Sequence, residues 1–408
     1  MEPKFYLSNQ CHFCESTELE LVLPLAPSPV CDQYLQKKQF QEIFPLDLFL
    51  CQECGLSQIQ CVVDPEYIYK DYIYVTASSS GLVKHFKTYA DDVLNRLKDV
   101  QVSSVLDIGS NEGVLLSYFK AKGLSVLGVE PAKEIASIAN SSGINTLATY
   151  FNKDTAAQVE KKYGLFDIIT INNLLANIDS VVDFIEAVKT VLSPNGVTVI
   201  ESAYLGDMMK NNMFDFIYHE HLSNISIAPL EKLFKKCSMR LIDLQPVSTK
   251  GGSMRYYFAH NDSTRNETKA VQYYRNIEES SKFNTKAAFN KLSNNIVVAR
   301  TNLLTYLINN RNKKIVGYGA SATSTTFLYH FGVGAYFDAL VDENTGKIGT
   351  FSPGLHLKVF DPEYIYNNEV DTIVIIAWRY ADLIIEKHKD FKGEFIVPLP
   401  EFKIIKNN

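Results

Sequence analysis

The stretch Val105-Leu106-Asp107-Ile108-Gly109-Ser110-Asn111-Glu112-Gly113 constrains this chain more than any other. Its mostly apolar opening predicts a buried strand, and the glycines that follow let the backbone turn tightly into a helix. About twenty residues further on, Val126-Leu127-Gly128-Val129-Glu130 predicts a second strand that ends in an acid. A strand, a glycine turn, a helix and an acid-tipped strand open a nucleotide-binding sheet, in which the acid accepts hydrogen bonds from ribose hydroxyls. Asp107, Gly109, Asn111, Gly113 and Glu130 are the ligand contacts this reading nominates. The alternation continues with a strand at Phe166–Ile171, a helix from Val181 to Leu192 and a strand at Gly196–Glu201. That pattern predicts an α/β fold with a doubly wound parallel sheet. Ligands of such sheets sit beyond the carboxyl ends of the strands, which here carry Asn172, Asn173 and the loop through Asn177, and also Glu201, Ser202 and Tyr204.

Cysteine spacing sets apart the first part of the chain. Cys11-His12-Phe13-Cys14 and Cys51-Gln52-Glu53-Cys54 are two C-x-x-C knuckles separated by 36 residues. Four thiolates complete a closed tetrahedral zinc site, which is structural because it keeps no position for water. The long gap is expected to hold a small fold of its own between about Leu23 and Leu50, while Cys31, Cys61 and Cys237 are expected as buried small hydrophobes. Seven cysteines in 408 residues fit a metal site in a reducing compartment better than a disulfide framework. A net charge of −6 without a basic run argues against nucleic-acid or membrane-surface partners. No apolar run approaches the ~18 residues of a membrane span, and no signal-peptide pattern follows Met1, so a cytoplasmic protein is expected.

Chemistry is most concentrated at Tyr218-His219-Glu220-His221, which offers two imidazoles beside a carboxylate. An imidazole with an unperturbed pKa near 6.5 suits a general base, although the same residues would also serve as a metal site or a buried hydrogen-bonding set. Lys250-Gly251-Gly252-Ser253-Met254-Arg255 offers backbone N–H groups and a guanidinium to a phosphate or carboxylate, or is a plain hairpin turn. The tyrosine-rich run containing Tyr72 and Tyr74 reads as half-buried strand or as ligand contact. From Thr264 to Asn310, apolar residues at helical spacing predict a long helical connector. Beyond it, Ile315-Val316-Gly317-Tyr318-Gly319-Ala320-Ser321-Ala322 places G-x-G-x-x-A after a strand. Strands are also expected at Tyr336–Asp342 and Asp371–Trp378, with Asp342 where a ribose-binding acid would stand. Alone, this last segment is a nicotinamide-dinucleotide signal.

Taken in order, these motifs resemble the zinc-containing nucleotide-sugar C-methyltransferases of deoxysugar biosynthesis, from Cys11 to Asp382. The glycine turn alone resembles motif I of S-adenosylmethionine methyltransferases at large. The resemblance implies a zinc lobe at residues 1–70, a Rossmann-like methyltransferase domain at 71–262, and a helical connector with a Rossmann-like substrate-binding domain at 263–408. It implies S-adenosylmethionine and structural Zn2+ as cofactors and a nucleotide-linked 4-keto-deoxysugar as substrate. His221 becomes the base, with Glu220 and Tyr218 lining the reacting carbon. Tyr72 or Tyr74, Asn177, His219, Lys250, Gly252, Ser253 and Arg255 face the substrate, whose diphosphate meets the turn of Tyr318, Gly319 and Ala320. Relatives often carry histidine where this chain has Asn177, and asparagine takes no proton at neutral pH. His219 and Glu220 remain rivals for the base. An O- or N-methyltransferase, an NAD(P)-linked nucleotide-sugar enzyme and a non-catalytic nucleotide-sugar binder remain alternatives. The oligomeric state is left open, a monomer being compatible with the sequence.

Overall fold

The computed structural model describes residues 4–69, 80–99 and 101–406, so Tyr72 and Tyr74 lie outside the described residues. The N-terminal lobe is built of short strands, β1 (Phe5–Leu7), β2 (Leu19–Leu23), β3 (Leu48–Cys51), β4 (Ser57–Ile59) and β5 (Cys61–Val63), followed by α1 (Pro65–Tyr69). β1 pairs with β5, and β2, β3 and β4 form an antiparallel sheet. Its fourth strand, Ser223–Asn224, arrives from far along the chain and pairs with β4. The segment between Leu23 and Leu50 departs from expectation. It has one bridge of its own, Ser28 to Phe44, and a small core in which Val30 and Phe44 meet Cys61 and Val63. Otherwise it spends its backbone on the C-terminal part, through Leu35 to Phe351 and Ala26 N–H to His330 Nδ1.

The central sheet follows: α2 (Ser80–Arg96), β6 (Ser104–Ile108), α3 (Val114–Ala121), β7 (Ser125–Val129), α4 (Lys133–Ser141), β8 (Thr146–Leu147), α5 (Lys153–Tyr163), β9 (Phe166–Asn172), α6 (Val181–Val191), β10 (Leu192–Ala203), α7 (Leu205–Lys210), β11 (Ser223–Asn224), α8 (Ile227–Lys236), β12 (Met239–Val247) and β13 (Ser253–His260). Strand order is β12-β13-β10-β9-β6-β7-β8, and the order reverses between β6 and β9. The apolar runs of β6 and β9 are buried on both sides, as expected of strands covered by helices on each face. Val105 and Ile168 pack with Tyr89, Leu116 and Phe119, while Leu106 and Ile169 pack with Val159, Ile185 and Val188. The sheet is mixed and not purely parallel, because β13 and β12 add antiparallel strands beside β10. The aromatic run Tyr256-Tyr257-Phe258 lies in β13, between two partners and wholly buried.

The expected long connector is two helices, α9 (Lys269–Ser281) and α10 (Lys286–Asn309), broken at Lys282, which has a left-handed φ of 49°. The stripe Phe289, Leu292, Ile296, Ala299, Leu303 and Leu307 is buried along α10. The last sheet comprises β14 (Ile315–Tyr318), β15 (Ala339–Val341), β16 (Val359–Phe360), β17 (Thr372–Ile375), β18 (Glu394–Val397) and β19 (Lys403–Lys406), with α11 (Ala322–Phe331), α12 (Tyr364–Asn367) and α13 (Ala381–Lys387) between them. Its order is β16-β15-β14-β17-β18-β19, parallel except at β19. The strand expected at Tyr336–Asp342 is only β15, since Gly334–Tyr336 forms a 3-10 turn before it.

Candidate active site

Beyond the carboxyl ends of β9 and β10 lies a small cleft. Asn173, Ala176, Ser202, Ala203, Phe216 and Lys250 are among the residues that line it, together with His221 and Ser223. The glycine turn after β6 stands at the reversal of strand order, where open α/β sheets bind ligands. Gly109 and Gly113 both have positive φ, 76° and 82°. At Gly113 a Cβ would also come within 2.9 Å of the Ile144 side chain, so helix α3 can begin there only from glycine. The Glu130 carboxylate ties the turn to β7 by accepting the N–H groups of Asn111 at 3.1 Å and Ala132 at 2.9 Å. Burial raises the Glu130 carboxyl against those hydrogen bonds. Burial also pushes Asp107 up to about 7, although the Thr170 hydroxyl donates to it at 2.6 Å. The Asn172 side chain, at the end of β9, has a buried amide nitrogen and a buried oxygen with no protein partner. A buried donor and acceptor without a protein partner fit a polar ligand.

His221 lines the same cleft. Its Nδ1 stands 2.9 Å from the carbonyl oxygen of Phe216, and a carbonyl can only accept, so Nδ1 carries the proton. Nε2 is then the lone-pair nitrogen of a ring that lines the cleft. The Tyr218 ring covers the imidazole, with centroids 4.0 Å apart. Burial pushes the His221 pKa down to about 4, so the ring is neutral at physiological pH. Glu220 is half-buried and pushed up to about 7, first by burial and then by Asp32, with Lys250 and Lys347 opposing. The Lys250 ammonium is lowered by burial, with Glu201 and Glu220 opposing.

Several sequence expectations are corrected here. His219 points away from the cleft into the N-terminal lobe, completely buried, with Nε2 donating to the Pro45 carbonyl and its ring against Phe44. Arg255 does not reach a ligand, because it is wholly buried and pairs with the Glu201 carboxylate at 2.9 Å. His85 of α2 holds the other Glu201 oxygen at 2.6 Å, and the Arg255 guanidinium stacks 3.8 Å from the Tyr89 ring centroid. Burial alone would raise Glu201, but the His85 hydrogen bond and the Arg255 charge hold its carboxyl below the usual range. Gly252 and Ser253 spend their polar groups on Thr249, Gly252 through its N–H and Ser253 through its hydroxyl, both at 3.0 Å. Of the Lys250–Arg255 stretch, Lys250 alone lines the cleft. Asn177 sits in the 3-10 turn Leu175–Asn177 after β9.

The C-terminal glycine turn is likewise turned inward. Tyr318 donates its hydroxyl to Glu343 at 2.8 Å, and Gly319 N–H goes to the Val341 carbonyl. Ala320 is buried and gives its N–H to Asp342 at 2.6 Å, so the acid expected at a ribose caps its own turn. Gly319, with φ 119°, is required because a Cβ would stand 2.7 Å from the Ala377 side chain. The position answers the approach of two strand ends, not of a ligand.

The cysteine knuckles do come together. All four sulfurs of Cys11, Cys14, Cys51 and Cys54 lie within 4.8 Å of one another, with Cys11–Cys54 and Cys14–Cys51 contacts of 3.5 Å. Four sulfurs at ~2.3 Å from one tetrahedral zinc are ~3.8 Å apart, so this donor set fits the ion. The lobe it staples holds the His221 loop: β4 pairs with β11 two residues after His221, and Ile59 N–H donates to the Leu222 carbonyl. His12, inside the first knuckle, reaches Asp179 beyond β9 at 3.5 Å, and Tyr6 donates to the same carboxylate. Cys51→Ser should therefore reduce bound zinc and lower the melting temperature by several degrees, read by metal analysis and calorimetry. Zinc loss with unchanged melting would contradict a structural role.

Three family models match the chain in succession: a putative zinc binding domain over residues 11–69, a methyltransferase domain over 82–242 and a C-methyltransferase C-terminal domain over 248–400. The chain is 27% identical over 406 residues to C-methyltransferase NovU of Streptomyces niveus, covering 97% of each. The chain is homologous to NovU along nearly all of its length and is an S-adenosylmethionine-dependent methyltransferase. It is also 24% identical over 179 residues to a ubiquinone biosynthesis O-methyltransferase of Vibrio parahaemolyticus, covering 42% of this chain and 74% of that protein. Magnesium protoporphyrin IX methyltransferase from Synechocystis, with bound S-adenosylhomocysteine, is 15% identical with a TM-score of 0.35, covering 48% of this methyltransferase and 91% of that chain. Among the described residues of the methyltransferase, no helix is long and apolar enough to cross a membrane.

Proposed function

We propose that this methyltransferase methylates the carbon beside the keto group of a nucleotide-linked 4-keto-deoxysugar, through an enolate formed by His221. The observation that carries this reading is the tautomer of His221: its proton is committed to Phe216, which leaves a basic nitrogen in a ring that lines the cleft. Bound S-adenosylmethionine supplies an electrophilic methyl group. The protein's residues do the rest. His221 Nε2 removes the proton next to the ketone, the C–H electrons become the enolate, and the enolate carbon is the nucleophile. The Lys250 ammonium, in the same cleft, stabilises the oxyanion, and the Tyr218 ring keeps water from the imidazole. Hydrogen–deuterium exchange at the substrate carbon, followed with S-adenosylhomocysteine in place of the methyl donor, tests the step. Exchange should occur in the native enzyme and vanish in His221→Ala, and persistence in the variant would remove His221 as the base.

Glu130 and Asp107 are assigned to the methyl donor, Glu130 to its ribose and Asp107 to its ammonium group. Glu130→Ala should weaken S-adenosylhomocysteine binding by ~1–3 kcal/mol, the cost of leaving buried hydroxyls unpaired. Because Asp107 stands near 7 without ligand and a cation favours its charged form, binding below that pH must expel a proton. Affinity should rise with pH up to about 7, and Asp107→Asn should flatten the rise. Calorimetry in buffers of different ionisation enthalpy reads the released proton; a pH-independent native affinity would contradict the assignment.

A further inference from the structure

The C-terminal sheet has its own crevice, between β14 and β17, where strand order reverses. Ligands of open α/β sheets bind at such a point. Here the residues just past β17, Trp378 and Arg379, reach into the methyltransferase chain instead. Their shared partner is Asp215, whose side chain is completely buried. Trp378 Nε1 donates to Asp215 at 3.0 Å, and Arg379 Nη1 spans both carboxylate oxygens at 3.1 and 2.9 Å. Arg379 Nη2 donates to Thr323 at 2.9 Å, so the guanidinium is fixed on two sides.

We infer that Asp215 and Arg379 are positioning residues for the base: the ligand end of the C-terminal sheet holds the turn that aims His221. The guanidinium carbon lies 5.1 Å from the centre of the Phe216 ring, and Phe216 supplies the carbonyl that fixes the His221 tautomer. One further bond from the same domain, Thr326 hydroxyl to the Ile217 carbonyl at 2.9 Å, pins the next residue. Arg379 also fills the space beside Gly251, where a Cβ would stand 2.8 Å from its Cδ, so it packs under the Lys250 loop as well. One arginine side chain thus touches both the Phe216–His221 turn and the Lys250 loop. A buried ion pair adds little net stability against a hydrophobic replacement, whereas a planar guanidinium held by a carboxylate on one arm and a hydroxyl on the other fixes geometry.

This rests on His221 being the base, and the test separates the two readings. Arg379→Lys keeps the charge and loses the planar guanidinium. It should lower kcat on the order of a hundredfold, the effect of a misplacement of about 1 Å, with KM for S-adenosylmethionine changed less than about twofold. In 15N spectra of histidine-labelled protein, with the resonance assigned by His221→Gln, native His221 should show the Nδ1–H tautomer and Arg379→Lys a mixture. Thr323→Val, which removes one bond of the guanidinium, should move both readouts the same way by a smaller amount. The spectra need no substrate, so a native enzyme inactive on 4-keto sugars would sink the substrate reading while the tautomer change still supports positioning. A lower melting temperature with unchanged kcat per folded molecule and an unchanged tautomer would make the pair a domain clamp and overturn the proposal.

Discussion

His221→Ala should lower kcat by ~10²–10⁴, the usual contribution of a positioned base, while S-adenosylhomocysteine binds as before. A base acts on the barrier more than on ground-state affinity, so the loss belongs in kcat. The pH dependence sharpens the expectation. The active form is the neutral imidazole, and burial holds the His221 pKa of the free enzyme near 4, so the acid limb of kcat/KM attributable to it lies well below the 6.5 of an ordinary histidine. His219→Ala serves as the contrast. Its ring is packed against Phe44 in the N-terminal lobe, so its removal should cost stability and leave the enolisation rate per folded molecule intact. A variant of His219 that abolishes exchange while His221→Ala retains it would move the base by two positions.

Arg255→Ala should destabilise the fold by ~3–5 kcal/mol, because it leaves the buried Glu201 carboxylate without its guanidinium partner and with His85 on the other oxygen only. Replacing both partners with apolar residues of similar volume, Glu201→Met with Arg255→Met, should recover part of that loss, since the cost lies in a buried charge that has lost its guanidinium, while His85 in turn loses its carboxylate. Denaturant titration of the single and double variants measures the coupling directly. If Arg255→Ala were as stable as the native chain and instead bound the nucleotide sugar more weakly, the guanidinium would have to face the cleft.

The sequence made the central sheet legible because its signals are local. Strand period, glycine turn and terminal acid lie within one β-α-β unit, and the tight turns at Gly109 and Gly113 need the residue that stands there. The cysteine knuckles were equally local in character, and the four sulfurs meet as their spacing implied. What escaped depends on register and on distant pairing. Glu201 and Arg255 are directly opposite in the β10–β13 ladder, yet nothing along the chain announces that register, so Arg255 reads as a free guanidinium. His85 on Glu201 and Arg379 on Asp215 are contacts between elements more than a hundred residues apart. The two histidines of the Tyr218–His221 stretch were separable only once the turn was known, since it sends one ring to the N-terminal lobe and the other to the cleft. The C-terminal G-x-G-x-x-A misleads for a related reason. Its glycine serves the contact with Ala377, and its acid caps its own turn, neither of which the pattern distinguishes from dinucleotide binding.

The position of the transferred methyl group tests the account most directly. The methyltransferase, supplied with S-adenosylmethionine carrying a 13C methyl and a nucleotide-linked 4-keto-deoxysugar, should give a product whose labelled methyl couples through one bond to a ring carbon adjacent to the ketone, and no such product should form with His221→Ala. A labelled methyl bonded to oxygen or nitrogen of the sugar would contradict enolate chemistry at this site.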